Sequence, residues 1–448
     1  MIAFMWLAIA GAQELPRASH DTTDAAASRR AERVLDSLVA RALSANPELR
    51  AARARIGAAE ARIAPAAARP DPMLMAGLQN VPVDGSGFGE PMTMKMIGVT
   101  QHFPLGGKLA ARRNAARFMA EASRHDADAV SLRVARDVRS AYYELAYIDR
   151  ALRIVERTRD VLASLVAATQ ARYEVSATGQ QDVIRSRLES TRLGDDASML
   201  REQRRAVLAR LEALLDAPLP SELRDARVPE RVARAGVGEV LDRITFVSAA
   251  LGSRAAGSPL PPLDSLERMA LRQNPGLLAR EAMVSAQEAR ADLARRERRP
   301  DVDVSLQYGQ RDGFGDMLTA VVSVPLQVQR GRRQDALLAA ERADLDAAQL
   351  ELDQARAVLR ADIARTHAEM ERARTHLALA AKALLPQGRA SLESAIASYQ
   401  AGRSEFITVM DAQAALFNIE TSYFRALTDF ATQLADLERL VGGEGVLP

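Results

Sequence analysis

The chain has 448 residues, 26% of them charged and only 4% aromatic, and is rich in Ala, Leu, Arg and Glu, the composition of long helices rather than of a β-rich core. A formal charge of +2, with no basic run interleaved with aromatics, leaves no footprint for nucleic acid. There is no cysteine, so disulfides, thiolate metal sites and cysteine nucleophiles are excluded; without a nucleophile elbow, phosphate loop or zincin motif, neither enzyme activity nor a cofactor is expected.

At the N-terminus, the apolar run Ile2 to Ile9 followed by Ala10-Gly11-Ala12 resembles an export signal with a small-residue cleavage site, though it lacks the usual basic start. Residues 1–12 are expected to be that signal, the alternative being a chance apolar end, and 13–30 a tail. No later apolar run reaches about 20 residues, so a membrane role has to use strands.

The rest of the chain reads as a duplication. "SANPELRAARARIGAAEARI" from Ser44 returns as "RQNPGLLAREAMVSAQEARA" from Arg272, and "AARPDPMLMAGLQ" from Ala67 as "ERRPDVDVSLQYG" from Glu297. "VTQHFPLGGK" from Val99 returns as "VSVPLQVQRGR" from Val322, and Tyr173 as Tyr399, all in order and at near-constant spacing. The repeats are set at 31–216 and 264–441, with a 442–448 tail and a Pro-, Ala- and Gly-rich connection at 217–263. That connection is either a linker or a segment holding one short helix near Gly236 to Ser248.

In each repeat a first helix opens at Asn46-Pro47 or Asn274-Pro275, with Asn as cap and Pro in the first helical position, and stops before Pro65 or Pro300. Strands follow at about 71–81 and 92–103 in the first copy, and at 301–310 and 316–326 in the second. "DVDVSLQYGQ" alternates cleanly: Val302, Val304, Leu306 and Tyr308 point one way, Asp301, Asp303, Ser305 and Gln307 the other. Long hairpins come next, at 107–215 and 331–440. The first begins with about 65 residues free of Pro, a rod of roughly 100 Å, and the second is expected to kink at Pro386 and Gly388.

Heptad-like seams run through Val130, Val134, Val138, Ala141, Leu145, Ile148, Leu152 and Val155, and again from Leu345 to Leu377. Such stripes require long neighbouring helices, supplied by the returning runs at 182–215 and 405–440. A soluble four-stranded sheet would leave those rods without purpose. Membrane strands would give them one, with an apolar face toward lipid and a polar face toward a lumen. Four strands cannot close a barrel, and lipid forbids open edges, so a barrel needs several chains.

Duplicated hairpins on strand pairs, with "FP…GK" leading into a long helix, resemble the TolC-like outer-membrane efflux proteins from about residue 31 to 441. The resemblance implies a mainly α fold with a small membrane β part. In that family, and so by implication here, three protomers make a twelve-stranded barrel in the outer membrane of a Gram-negative bacterium, continued by a periplasmic α-barrel. It implies an exit duct of a tripartite system, a homotrimer partnered by a periplasmic adaptor, an inner-membrane resistance-nodulation-division pump and outer-membrane lipid. "DPMLMAGLQNVPVDG…EPMTMKMIGVTQHFPLGGK" is most similar to members that serve heavy-metal pumps. Drugs or secreted protein are the other cargoes, and a periplasmic coiled-coil adaptor or scaffold is the alternative function.

The family's tip pattern is an aromatic, then Gly, then an acid. In the first copy it falls on Tyr173, on Ser176 in place of Gly, and on Asp182-Val183. In the second it falls on Tyr399 and Gly402, with Thr408 where the acid is usual and Asp411 as a second acid. The resemblance therefore implies a periplasmic gate at Asp182, Tyr399, Thr408 and Asp411. It implies adaptor contacts at Val175, Ser176, Ala177, Ala401, Gly402 and Arg403. The gate arginine would fall near Ser404, beside Arg403. A ring of acids would attract cations and repel anions; read without the resemblance, Asp182 and Asp411 are acids at helix N-termini. Met73, Met75, Met92, Met94 and Met96 are either a thioether site for soft ions or apolar wall. The five histidines show no compact metal spacing, so no metal site is expected.

Overall fold

The computed structural model describes residues 20–82, 90–174, 180–219, 223, 226–237 and 260–443. The expected signal, the part of the expected tail before His20, and residues 444–448 lie outside them. In chain order the elements are α1 (His20–Ala45), α2 (Pro47–Ala61), α3 (Ile63–Ala67), β1 (Met73–Gln79), β2 (Met94–Phe103), α4 (Lys108–Glu174), α5 (Gln180–Leu215) and α6 (Glu230–Val237). Then come α7 (Leu263–Gln273), α8 (Pro275–Arg296), β3 (Val302–Gln310), β4 (Met317–Ser323), α9 (Gln334–Leu379), a π turn (Ala380–Leu384), α10 (Leu385–Gln400) and α11 (Phe406–Val441). They divide between two compact units, one of Met1–Leu49, Ser131–Ala270 and Arg360–Pro448, the other of Arg50–Val130 and Leu271–Leu359. No helix among the described residues is long and apolar enough to cross a membrane.

The second unit holds one antiparallel sheet in the order β1-β2-β3-β4. The central pairing, β2 with β3, joins the two repeats: Ile97 lies opposite Tyr308, Val99 opposite Leu306 and Thr100 opposite Ser305. β1 and β4 are the edges. β1 starts after Pro72 and stops before Asn80, which takes φ +53°, so it is shorter than the 71–81 expected. β4 ends at Ser323 rather than 326, since Pro325 has no N–H to give to a ladder. The period of two puts Leu74, Leu78, Ile97, Val99, Val304, Leu306, Tyr308, Leu318 and Val322 on one face, and all of them are exposed. Met73, Met75, Met94 and Met96 lie on the other, with Thr100, Asp303, Ser305 and Gln307. The exposed apolar face therefore contains none of these four methionines. Met92 precedes β2.

In the first unit the expected tail is partly wrong, because a helix already runs from His20 and buries Leu35, Leu38 and Ala42. Asn-Pro therefore separates two helices rather than opening the first. The Asn46 side chain accepts from the N–H groups of Glu48 (2.9 Å) and Leu49 (3.2 Å), capping α2, while its amide donates to the Leu214 carbonyl at 3.0 Å. In the other unit Asn274 caps α8 in the same way, accepting from the Leu277 N–H at 2.9 Å. As expected, α2 stops at Ala61, before Pro65, and α8 at Arg296, before Pro300, but Pro65 itself belongs to the short helix that follows. It sits in the first turn of α3, where its missing N–H would have had no helical partner.

The seam of α4 is buried at Val134, Val138, Ala141, Leu145, Ile148 and Val155, and that of α9 at Ile363, Met370, Ala373 and Leu377. Polar ties accompany this packing. Arg136 forks onto Asp436 at 2.7 and 2.9 Å, and buried Asp149 accepts from Arg204 (2.7 Å) and from the Ala226 N–H (2.9 Å). The Asp149 contacts draw the connection between the repeats against α4. Its helix is α6, earlier than the expected 236–248, most of which lies outside the described residues.

Pro386 does distort the second hairpin, but by a π turn rather than a simple kink. Proline offers no N–H to a carbonyl one turn back, and the five residues Ala380–Leu384 widen to accommodate that gap. Gly388 then lets α11 approach closely. A Cβ there would meet Ile419 at 3.2 Å and Leu416 at 3.3 Å.

Candidate functional site

Two places concentrate polar side chains and special backbone: the turn that leads from β2 into α4, and the tips of the hairpins.

The first gives "FPLGGK" a physical meaning. Gly106 and Gly107 take φ +72° and +78°, a conformation that costs a residue with a Cβ. The turn so formed aims Lys108 inward, where it is only 1% exposed. Its ammonium donates to Asp301 Oδ1 (2.8 Å) and the Arg299 carbonyl (2.8 Å), and lies 3.3 Å from Glu297. Asp301 also accepts from the Leu105 N–H at 2.9 Å, while His102 pairs with Asp303 at 2.6 Å. Arg296 donates to the Gly106 carbonyl at 2.7 Å. Burial pushes the Asp301 carboxyl up, but the Lys108 and Leu105 bonds outweigh it and hold it below the ordinary aspartate value. One buried lysine thus locks the start of a long helix to the approach of β3. Sequence reading used Lys108 only as the last residue of "FP…GK", the lead into a long helix. The signal available was its place after two glycines.

At the second tip α10 ends in a paired hydrogen-bond motif. The Gly402 N–H donates to the Tyr399 carbonyl (3.0 Å) and the Arg403 N–H to the Ser398 carbonyl (2.9 Å), with Gly402 at φ +71°. No atom lies within 4 Å of where a Gly402 Cβ would stand, so the glycine is there for its backbone conformation alone. Tyr399 is not at the surface of the protomer. Only 5% exposed, its ring meets Phe406 edge-on at 5.6 Å in a cluster with Ala395 and Val409, against which Leu165 of α4 packs. Thr408 and Asp411, one turn apart on α11, are both exposed, as are Ala401, Gly402 and Arg403. Ser404 is half-buried.

The two acids differ in position. Asp182 lies in the first turn of α5, where the helix dipole favours a carboxylate. Asp411 lies beyond the first turn of α11, which carries no acid, so the dipole does not account for it. Val175, Ser176 and Ala177, expected to meet an adaptor, lie outside the described residues. Around the first hairpin, Val155 and Leu162 of α4 pack on Leu193 and Ala197 of α5, with Met410 and Phe417 of α11 against them. Both hairpins therefore share one apolar interior below their tips.

A third feature escaped the sequence reading, a cavity of about 150 Å³ lined by Tyr147, Arg150, Arg153, Arg227, Phe424 and Thr428. Arg150 stacks over Phe424 at 4.3 Å; burial first, then Arg153 and Arg157, lower its pKa. Among the described residues no group of three His, Cys, Asp or Glu side chains is arranged to hold a metal ion.

Comparison with known proteins agrees with this architecture. Solved structures of similar fold include the outer-membrane channel OprN, at 18% identity, covering 93% of this chain and 91% of that one, with a TM-score of 0.74. VceC of Vibrio cholerae is 18% identical over 91% of this chain and 96% of its own, with a TM-score of 0.73. The open state of MtrE from Neisseria gonorrhoeae is 18% identical over 92% and 89%, with a TM-score of 0.71. No curated protein matches the chain. The outer membrane efflux protein family matches residues 38–217 and 266–443, each segment carrying one strand pair and one long hairpin. The chain belongs to the outer membrane efflux protein family and is an outer-membrane efflux channel.

Proposed function

We propose that three copies of the chain close their sheets into one twelve-stranded barrel in the outer membrane. Through it they passively release substrate delivered by a periplasmic adaptor and an inner-membrane pump of the resistance-nodulation-division class. The observation that carries this reading is the sheet itself, with unpaired edges at β1 and β4 and a continuous exposed apolar face backed by a polar one. Joining β1 of one copy to β4 of the next removes every edge, as a strand in lipid requires. Metal ions are the proposed cargo, supported by the similarity of the Met-rich strand region and "FPLGGK" to members that serve heavy-metal pumps.

In this reading the hairpin tips at Val175, Ser176, Ala177, Ala401, Gly402 and Arg403 meet the adaptor. Thr408, Asp411 and Asp182 line the narrowing, and Tyr399 holds the turn that presents them. The acids carry the selectivity. Three copies of each concentrate negative potential, favouring cations and binding divalent blockers. Single-channel recording in planar bilayers tests this. Asp182→Ala with Asp411→Ala is expected to weaken block by divalent cations and to lower cation preference; unchanged block and selectivity would remove the acids from the gate.

A further inference from the structure

The strand register arranges methionine and glycine in a pattern that a plain channel wall does not need. Across the four strands one row reads Gly77, Met96, Gly309, Met317; in the next, Met75 faces Gly98. All of these lie on the polar face, with Thr100, Ser305 and Gln307, and not among the apolar side chains turned outward. Glycine inside a strand weakens it and marks a place where another group approaches the backbone. Here the group is a thioether, since a Cβ on Gly309 would stand 2.6 Å from the sulfur of Met94. Met94 is 8% exposed, Met96 is half-buried, and Met317 opens to the surface. With neighbouring strands about 4.8 Å apart, Met96 and Met317 flank Gly309 from either side while Met94 leans over it. One thioether thus covers a bare backbone position, and register places two more on the strands to either side of it.

Thioether sulfur is a soft, uncharged ligand that selects soft monovalent ions over zinc, magnesium or calcium. We propose that Met94, Met96 and Met317 around Gly309 form a weak stopping site for a soft monovalent cation, Ag(I) or Cu(I), on the polar face of the sheet. Being neutral, the site holds such an ion without the attraction of a carboxylate, so binding stays weak enough for the ion to leave, as conduction demands. The inference deepens the metal-export reading and rests on it for its use in the cell.

Equilibrium dialysis of silver nitrate against the purified, detergent-extracted full chain in chloride-free buffer tests it. The wild type is expected to take up silver that the Met94→Leu, Met96→Leu, Met317→Leu triple variant loses. Zn(II) is expected not to compete, and Met269→Leu with Met283→Leu, two exposed methionines elsewhere, to leave uptake unchanged. Equal silver uptake by the triple variant, or displacement by Zn(II), would overturn the site. Silver K-edge absorption of the wild-type complex is independent of the variants' folding: sulfur neighbours are expected, and a shell of oxygen and nitrogen alone would overturn the proposal. Potassium chloride conductance separates the two readings. A protein that binds silver through sulfur but forms no pore contradicts the channel assembly and not the site.

Discussion

Lys108 is the residue on which the second unit turns. Removing one member of a buried, hydrogen-bonded pair leaves the other charged and unpaired, and Asp301 here also anchors the Leu105 N–H. Lys108→Met is expected to destabilise the protein by about 3 kcal/mol, the low end for a broken buried pair because Asp301 keeps some solvent access. Thermal melting in detergent measures it; an unchanged melting temperature would deny Lys108 this role. The carboxyl of Asp301 is held below its ordinary value, so its contribution is fully present above about pH 3.9 and fades as pH falls through the depressed native value. The acid-side decline in melting temperature is expected to shrink in Lys108→Met. The junction was half legible in the sequence. "FP…GK" marked the lead into a long helix, but nothing in the spacing tied Lys108 to Asp301 in the other repeat.

At the level of elements, Asn46 and Asn274 were readable because a cap followed by proline is local chemistry. What precedes each cap was missed. α1 is held by Leu35, Leu38 and Ala42 packing on distant parts of the chain, and local pattern alone gave it no boundary. The interruption near Pro386 was expected, its form was not: whether a helix kinks or widens depends on how neighbours such as α11 press on it. Pro386→Ala restores the missing N–H and is expected to return Ala380–Leu384 to regular α-helix in a crystal structure of the variant. A π turn that persists would assign the distortion to packing at Gly388 instead. The methionines are the clearest case of the same limit. Alternation placed Met73, Met75, Met94 and Met96 on one face of their strands. Alternation also puts Thr100 with Met94 and Met96, but only the β2–β3 pairing, which joins residues of different repeats, adds Ser305 and Gln307 to this face.

For the whole molecule, duplication, rods and strands were all visible in the residues, since each follows from periodicity or repetition. Closure of the sheet was visible only as a requirement, because a single chain leaves β1 and β4 unpaired. The absence of native cysteine makes that requirement directly testable. In one sheet β1 and β4 are separated by β2 and β3, so cysteines placed on the two edges can join only between copies. The decisive measurement scans single cysteines over residues 74–78 of β1 against Ala320→Cys in β4, oxidises the protein in outer membranes, and reads the covalent species on a denaturing gel. The account predicts a register at which the chains close into a covalent trimer and no larger species forms. Monomers at every register, or a ladder extending past three, would contradict it.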